Sequence, residues 1–466
     1  MDTKNAFQRL NSLSTWLIFT IIASITSLPT YLNASETIVV SSAKDGQLFP
    51  SVVRDGEGGV IVFWEDYRTG RDWDVYVRRV DSRNKPIWDL DGDPISIAAS
   101  NQRRLRAIQH GRHAIVVWND RRNKSSWDIY AQAVNIEGDV FWQKDGMPIC
   151  TDSADQSTQA ILSDGEGGAI VVWEDERRSA EFQDLYIQRI TSTGITSWEK
   201  NGIPVYPSES LQSNPVLVED DSGGFYVVWW DVVGIENWHI MAFRLSMEGK
   251  PLWDAPLLIT PKDGMQGEPR VVADGKGGFI VVWQIYENFI NDQLYAQRIS
   301  PDGKKLWQET GVPVCTADGI QKNAAVVYDG EGGLIAVWRD ERDIYGDLYA
   351  QRIHADGTLA WQKDGIPLCT VGGHQDRPFI VQTEEKQFFV AWMDYRGDIG
   401  EKSVDAIYCQ KIDLDGNLLW KEEGVPVSTS KGEHFPPFVV PVGNGQCVVV
   451  WSNSQQDNGD IFLKRF

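Results

Sequence analysis

The chain has 466 residues, 44 of them basic and 66 acidic, for a formal net charge of -22. A surface of that sign repels polyanions over most of its area unless one local basic patch overcomes the field, so nucleic acid is not an expected partner. Glycine (42) and tryptophan (20) are abundant, and helical periodicity is missing after residue 35, which excludes a helical bundle and points to strands joined by tight turns.

In chain order, the first feature is Lys4 and Arg9 followed by no charge until Glu36, with an apolar run over 16–25. This is the order of a secretory signal peptide, with Ala34 as the last residue before cleavage. The apolar run is short for a membrane span, and an uncleaved anchor is the alternative to cleavage. The expected division is therefore 1–34 as signal peptide and 35–466 as one exported domain. Such a domain is secreted, periplasmic or at the cell surface, with no integral membrane segment after cleavage, and is expected to be a monomer.

From residue 36 onward the chain repeats. "DGEGGVIVFWEDYR" (55–68) returns as "DGEGGAIVVWEDER" (164–177) and "DGEGGLIAVWRDER" (329–342). Aligning on the Trp of this segment gives Trp64, Trp118, Trp173, Trp229, Trp283, Trp338, Trp392 and Trp451, spaced by 54 to 59 residues. Eight copies of several short strands each predict an eight-bladed β-propeller, all-β, with four-stranded antiparallel blades. The glycine-rich turn supplies positive-φ positions for a hairpin, and it lacks the lysine and following helix of a phosphate-binding loop. The run "VIVFW" is apolar at every position, as expected of a strand buried on both faces. The segment 36–50 matches 365–378 in pattern, and the last copy lacks that piece, so an N-terminal strand is expected to complete the last blade and close the ring.

The segment "DLYAQRIHADGTLAW" (347–361) and its counterparts resemble the tryptophan-docking repeat of quinoprotein-type eight-bladed propellers. The resemblance implies that Trp88, Trp142, Trp198, Trp253, Trp307, Trp361 and Trp420 each pack on a neighbouring blade. The whole repeat is similar to uncharacterised exported bacterial propeller repeat proteins. Quinone-dependent members carry an adjacent Cys-Cys pair that is absent here, so the resemblance implies fold without that activity, and no cofactor is expected. Cys150, Cys315 and Cys369 occupy one place in three repeats, which keeps them on different blades, and neither they nor the scattered histidines show metal-ligand spacing.

Three groups of polar and aromatic residues are candidates for function. Asp-x-Arg follows the repeat Trp as Asp66/Arg68, Asp120/Arg122, Asp175/Arg177, Asp340/Arg342 and Asp394/Arg396. A motif written five times is expected to be structural, forming inter-blade salt bridges and strand-end hydrogen bonds. Gln47, Gln102, Gln156, Gln212, Gln266, Gln321 and Gln375, with Glu433 in the last copy, precede each first strand and are placed as a ring at the channel mouth or as loop hydrogen-bonders. Symmetry fails in blades 4 and 5, where Trp230, Trp238, His239, Tyr286, Glu287 and Asn288 stand in for the pair, and Trp73 and Trp127 hold the place of Trp238 in blades 1 and 2. Aromatics beside amides and carboxylates suit sugar rings or extended peptides. The expected function is a non-enzymatic recognition scaffold for a glycan or a protein partner; the alternatives are a glycan-degrading hydrolase or lyase, and a periplasmic assembly factor.

Overall fold

A strand that is apolar on both faces needs cover on both, and stacked blades supply it. The computed structural model describes residues 35–178, 182–234, 236–260, 264–287, 290–343, 345–384, 386–396, 405–454 and 459–466. The segment 1–34, read as a signal peptide, lies outside them. The described residues form eight four-stranded antiparallel sheets. No helix occurs among them, and so none long and apolar enough to cross a membrane.

The first strand, β1 (Ile38–Ser41), belongs to the last blade. Blade 1 is β2 (Gln47–Arg54), β3 (Val60–Asp66), β4 (Asp74–Val80) and β5 (Asp93–Ser96), paired in that order. Blades 2 to 7 repeat the pattern over 102–150, 156–204, 211–258, 265–315, 321–369 and 375–428. Blade 8 takes three strands from the C-terminus, Phe438–Gly443, Gln446–Asn453 and Asp460–Arg465, and its fourth is β1, with Ile38 opposite Leu463. First strands of successive blades touch all the way round, and that of blade 8 touches β2. They line the central channel, and the ring is closed.

The eight repeat Trp side chains are 0–1 % exposed. A buried indole N–H needs an acceptor, and the carboxylate two residues on provides it in six blades, as in Trp64 to Asp66 at 2.7 Å and Trp338 to Asp340 at 2.8 Å. Blade 5 has Ile285 there, and Trp283 donates instead to Gln266 Oε1 at 3.1 Å. Four of the second set of tryptophans tie neighbouring blades: the Nε1 atoms of Trp142, Trp253, Trp307 and Trp361 donate to Ser192, Pro301, Ala355 and Leu414 carbonyls of the following blade at 2.9–3.2 Å.

The Asp-x-Arg pairs are corrected in one respect. The ion pair closes within its own blade, because two residues at a strand end already place the fork on the carboxylate. Arg68 meets the fully buried Asp66 through Nε at 2.8 Å and Nη2 at 2.7 Å, lies 3.8 Å from the Tyr76 ring centroid, and donates to the Asp91 carbonyl. The same unit recurs at Asp120/Arg122, Asp175/Arg177, Asp340/Arg342 and Asp394/Arg396. What reaches the preceding blade is the guanidinium edge, where Arg177, Arg342 and Arg396 Nη2 approach the sulfurs of Cys150, Cys315 and Cys369 at 3.2–3.5 Å. All five cysteines are buried and unbridged.

Candidate functional site

The entry to each channel-lining strand is bulged. In blade 1 the register slips between Leu48 and Ser51, in blade 2 between Arg103 and Arg106, and in blade 7 between Asp376 and Phe379. The residue two after the repeated Gln then has positive φ: Phe49 at 51°, Arg104 at 59°, Asn214 at 49°, Glu268 at 54°, Asn323 at 54° and Arg377 at 50°. None is glycine, and this conformation costs an L-residue roughly 1–2 kcal/mol.

The residue immediately after the repeat Trp offsets part of that cost by bracing the bulge of the next blade. Glu65 accepts Arg104 N and Arg103 Nε, both at 2.7 Å. Burial pushes the Glu65 carboxyl up, while the adjacent Arg103 pulls it down less strongly. Glu174 accepts Asn214 N at 2.9 Å and Ser213 Oγ at 2.6 Å, and Arg339 meets Asp376 at 3.2 Å. Trp230 holds the same place in blade 4 and presses on Gly267 of blade 5, where an added Cβ would stand 3.0 Å from its ring.

The glutamines do not ring the channel mouth. Gln47, Gln102, Gln212, Gln321 and Gln375 are 0 % exposed, Gln156 1 % and Gln266 2 %. The Gln47, Gln102, Gln156, Gln212, Gln321 and Gln375 amides donate inward to loop carbonyls, for example Gln47 to Asp45 at 3.0 Å and Gln156 to Ala154 at 2.7 Å. Gln156 alone among them contributes to a cavity wall. Glu433 is off by one position: His434, opposite Asn453, occupies the register that Gln47 holds opposite Asp66. The side chains shown at the mouth are bulge residues two positions on, together with Glu433, which is exposed and lines the second cavity.

A cavity of about 740 Å³ opens there, walled by first strands of blades 7, 8, 1, 2 and 3. Phe49, Arg104, Arg106, Arg377 and Phe435 line it, and Trp127, Asp155, Glu174 and Glu176 extend it outward. Phe49 is 42 % exposed and meets Phe435 edge-on, with ring centroids 5.4 Å apart. Arg106 is open to the cavity yet ringed by protein, so burial first, and the charge of Arg104 second, lower its pKa. A second cavity of about 890 Å³ between blades 7 and 8 shares Phe49, Arg377, Phe435 and Pro436 with the first.

Of the aromatic residues singled out from sequence, Trp127 lines the first cavity. Trp73 sits beside its wall, 4.8 Å from the guanidinium of Arg103. Trp230, Trp238 and Tyr286 come together on blades 4 and 5, but as a packed cluster: Trp230–Trp238 centroids lie 5.3 Å apart and Trp238–Tyr286 5.8 Å, both edge-to-face. They line neither cavity. Burial, first among its causes, raises the Tyr286 phenol pKa. His239 is half-buried opposite Asp231, and Glu287 is exposed. Asn288 lies outside the described residues.

A Ser–His–Asp sequence of contacts exists at blade 8, with Ser428 Oγ 2.8 Å from His434 Nε2 and Asp405 3.6 Å from Nδ1. Burial is the main cause lowering the His434 pKa. His434 and Asp405 belong to the wall of the second cavity, but the imidazole itself is 0 % exposed and Ser428 lines neither cavity. No group of three His, Cys, Asp or Glu among the described residues is placed to hold a metal ion.

Sequence reasoning missed Phe49, Arg104, Arg377 and Phe435. One signal was present: Pro50, Pro215, Pro269 and Pro378 stand directly after bulge residues, and proline inside a strand marks a bulge or an open edge.

No family model matches the chain, and no curated protein matches it. Solved structures do. A protein of unknown function from Dyadobacter fermentans shares 13% identity, covering 93% of this chain and 98% of its own, with a TM-score of 0.44. A polysaccharide lyase described as an ulvan lyase shares 9% identity over 82% of this chain and 97% of its own, with a TM-score of 0.47. An α-L-arabinofuranosidase from Fusarium graminearum shares 12% identity over 82% and 99%, with a TM-score of 0.39. Similarity at this distance carries nothing about chemistry.

Proposed function

We propose that this protein is an exported, non-enzymatic recognition propeller that binds a glycan segment at its channel mouth, over blades 7, 8, 1, 2 and 3. The supporting observation is the cavity of about 740 Å³, in which Phe49, Phe435 and Trp127 stand beside guanidinium and carboxylate groups. Sugar rings lay their apolar faces on aromatics while their hydroxyls bond to charged groups at the edge. Glu65 and Glu174 each hold the bulge of the following blade through one or both oxygens, which gives these two carboxylates a part in the frame.

The test is a glycan array probed with the purified protein, with Trp127→Ala and Phe435→Ala, and with a Trp230→Ala/Trp238→Ala double variant. Binding should fall in the first two and persist in the third. Loss confined to the double variant would return the site to blades 4 and 5. Absence of any glycan binding refutes the reading, and new reducing ends appearing in bound glycans would make the protein a glycan-cleaving enzyme.

A further inference from the structure

We infer that the channel mouth reads an acidic glycan, a sugar polymer carrying carboxylate or sulfate groups, with Arg104 of blade 2 and Arg377 of blade 7 gripping those anions on either side of Phe49 and Pro436. The inference rests on the glycan-binding reading and adds what the glycan carries.

The first ground is how arginines are used in this molecule. Ten are held by buried aspartates: Arg68, Arg122, Arg177, Arg342 and Arg396 by the strand-end pairs, and Arg79, Arg189, Arg244, Arg298 and Arg352 by Asp55, Asp164, Asp220, Asp274 and Asp329 at 2.7–2.9 Å. Arg104 and Arg377 form no ion pair with any described residue. Arg104 Nη1 donates to Ser157 Oγ. Both side chains are exposed, and both line the one cavity. In a chain of net charge -22, the cavity wall sets four arginines against Glu65, Asp155, Glu174 and Glu176, and with Arg103 paired to Glu65, Arg104 and Arg377 are the guanidinium groups it presents to an anion. Arg106, on the same strand as Arg104 and lining the same cavity, adds a third positive charge.

The second ground is the backbone. Arg104 at φ 59° and Arg377 at φ 50° hold a conformation that glycine adopts cheaply. The chain uses glycine for that purpose in its repeated turns, as at Gly165 and Gly330. The same bulge recurs at Phe49, Asn214, Glu268 and Asn323, and at Arg104 and Arg377 it carries a long charged side chain to the cavity wall.

The third ground separates ligand classes. Asp155, Glu174 and Glu176 share the cavity with the arginines. A sugar offers hydroxyl donors to such carboxylates next to its own acid group. An oligoglutamate has no hydroxyl donors beside its acid groups, and a nucleic acid carries a phosphate at every step past those carboxylates.

The experiment measures affinities, by calorimetry at low and physiological salt, for an oligogalacturonate, its neutral methyl ester, a sulfated oligosaccharide, oligoglutamate and a single-stranded DNA oligomer. The galacturonate and sulfate arms distinguish the two anion sources. At least one acidic sugar should bind about tenfold or more tightly than the ester, as expected for a charge-assisted hydrogen bond, and weaken with salt. Arg104→Gly and Arg377→Gly suit the backbone, so each should keep the thermal midpoint within a few degrees while reducing affinity by about tenfold to a hundredfold. Arg104→Gln and Arg377→Gln repeat the test should either glycine variant fail to fold. Arg112→Gln, which removes an exposed charge outside the cavity, should leave affinity unchanged. Equal binding of acid and ester, or unaltered affinity in the arginine variants, overturns the inference while leaving glycan binding in place. Preference for oligoglutamate or DNA also overturns it, and no sugar bound at all removes both readings.

Discussion

Gly365→Ala and Gly165→Ala form a matched pair that tests why the repeat Trp demands a glycine across from it. Gly365 has φ 86°, and an added Cβ would stand 2.6 Å from Trp338 Cη2 and 2.8 Å from the Ala350 carbonyl oxygen. Carbon atoms pack at about 3.5–4.0 Å, so the ring, 0 % exposed, must move or the turn must. Gly165 has φ 75°, and its added Cβ meets nothing within 4 Å. Both variants bear the left-handed penalty of about 1 kcal/mol. Gly365→Ala alone adds overpacking, about 1–3 kcal/mol. The expected loss is therefore about 2–4 kcal/mol for Gly365→Ala and about 1 kcal/mol for Gly165→Ala. Urea unfolding followed by tryptophan fluorescence, compared at equal m-values, measures the difference. Equal losses would mean that φ alone sets the cost and the ring contact does not constrain the turn. A smaller loss for Gly365→Ala in a Trp338→Phe background, where the ring is shorter, would confirm the contact as its source.

Asp74 has its carboxyl pushed up to about 7, first by burial and then by the Asp66 carboxylate. A folded-state pKa above the unfolded value contributes stability at acid pH that is lost as pH rises from about 4 through about 7. Asp74→Asn should therefore gain on the wild type between pH 5 and pH 8, by no more than about 4 kcal/mol, in urea titrations across that range; a pH-independent difference would refute the assignment. The thiols of Cys150 and Cys315 are pushed up to about 12 and that of Cys369 to about 11, burial being the first cause in each. Iodoacetamide at pH 8 should leave all three unlabelled in the folded protein and label them in urea, and rapid labelling of the native state would contradict their burial.

The frame was legible because each blade repeats the same local solution. Trp338 needs an acceptor and finds Asp340 two residues on; "VIVFW" needs cover on both faces; a turn needs glycine at positive φ. Each of these is a statement about neighbours in sequence, so periodicity exposes it. The closing strand was legible for the same reason, as a repeat divided between 36–50 and the last copy.

The site was not legible in that way. Phe49, Arg104 and Arg377 carry no residue-type mark of a left-handed bulge, since glycine or asparagine would have been the usual signal. At Arg104 the bulge is held from another blade, by Glu65 on its N–H, and at Arg377 by Asp376 beside it. Trp230 and Tyr286 looked like a departure made for a ligand and turn out to pack on Gly267. His434, not Glu433, takes the glutamine register, which only strand pairing reveals.

Sequence by itself determined the blade, its count and its closure, because those depend on interactions that recur at a fixed spacing. Tertiary structure alone decided that Arg377, Phe435, Phe49 and Arg104, drawn from the two ends of the chain, share one cavity. Closing a ring makes neighbours of residues that are hundreds of positions apart, and no periodicity along the chain encodes which of them will meet.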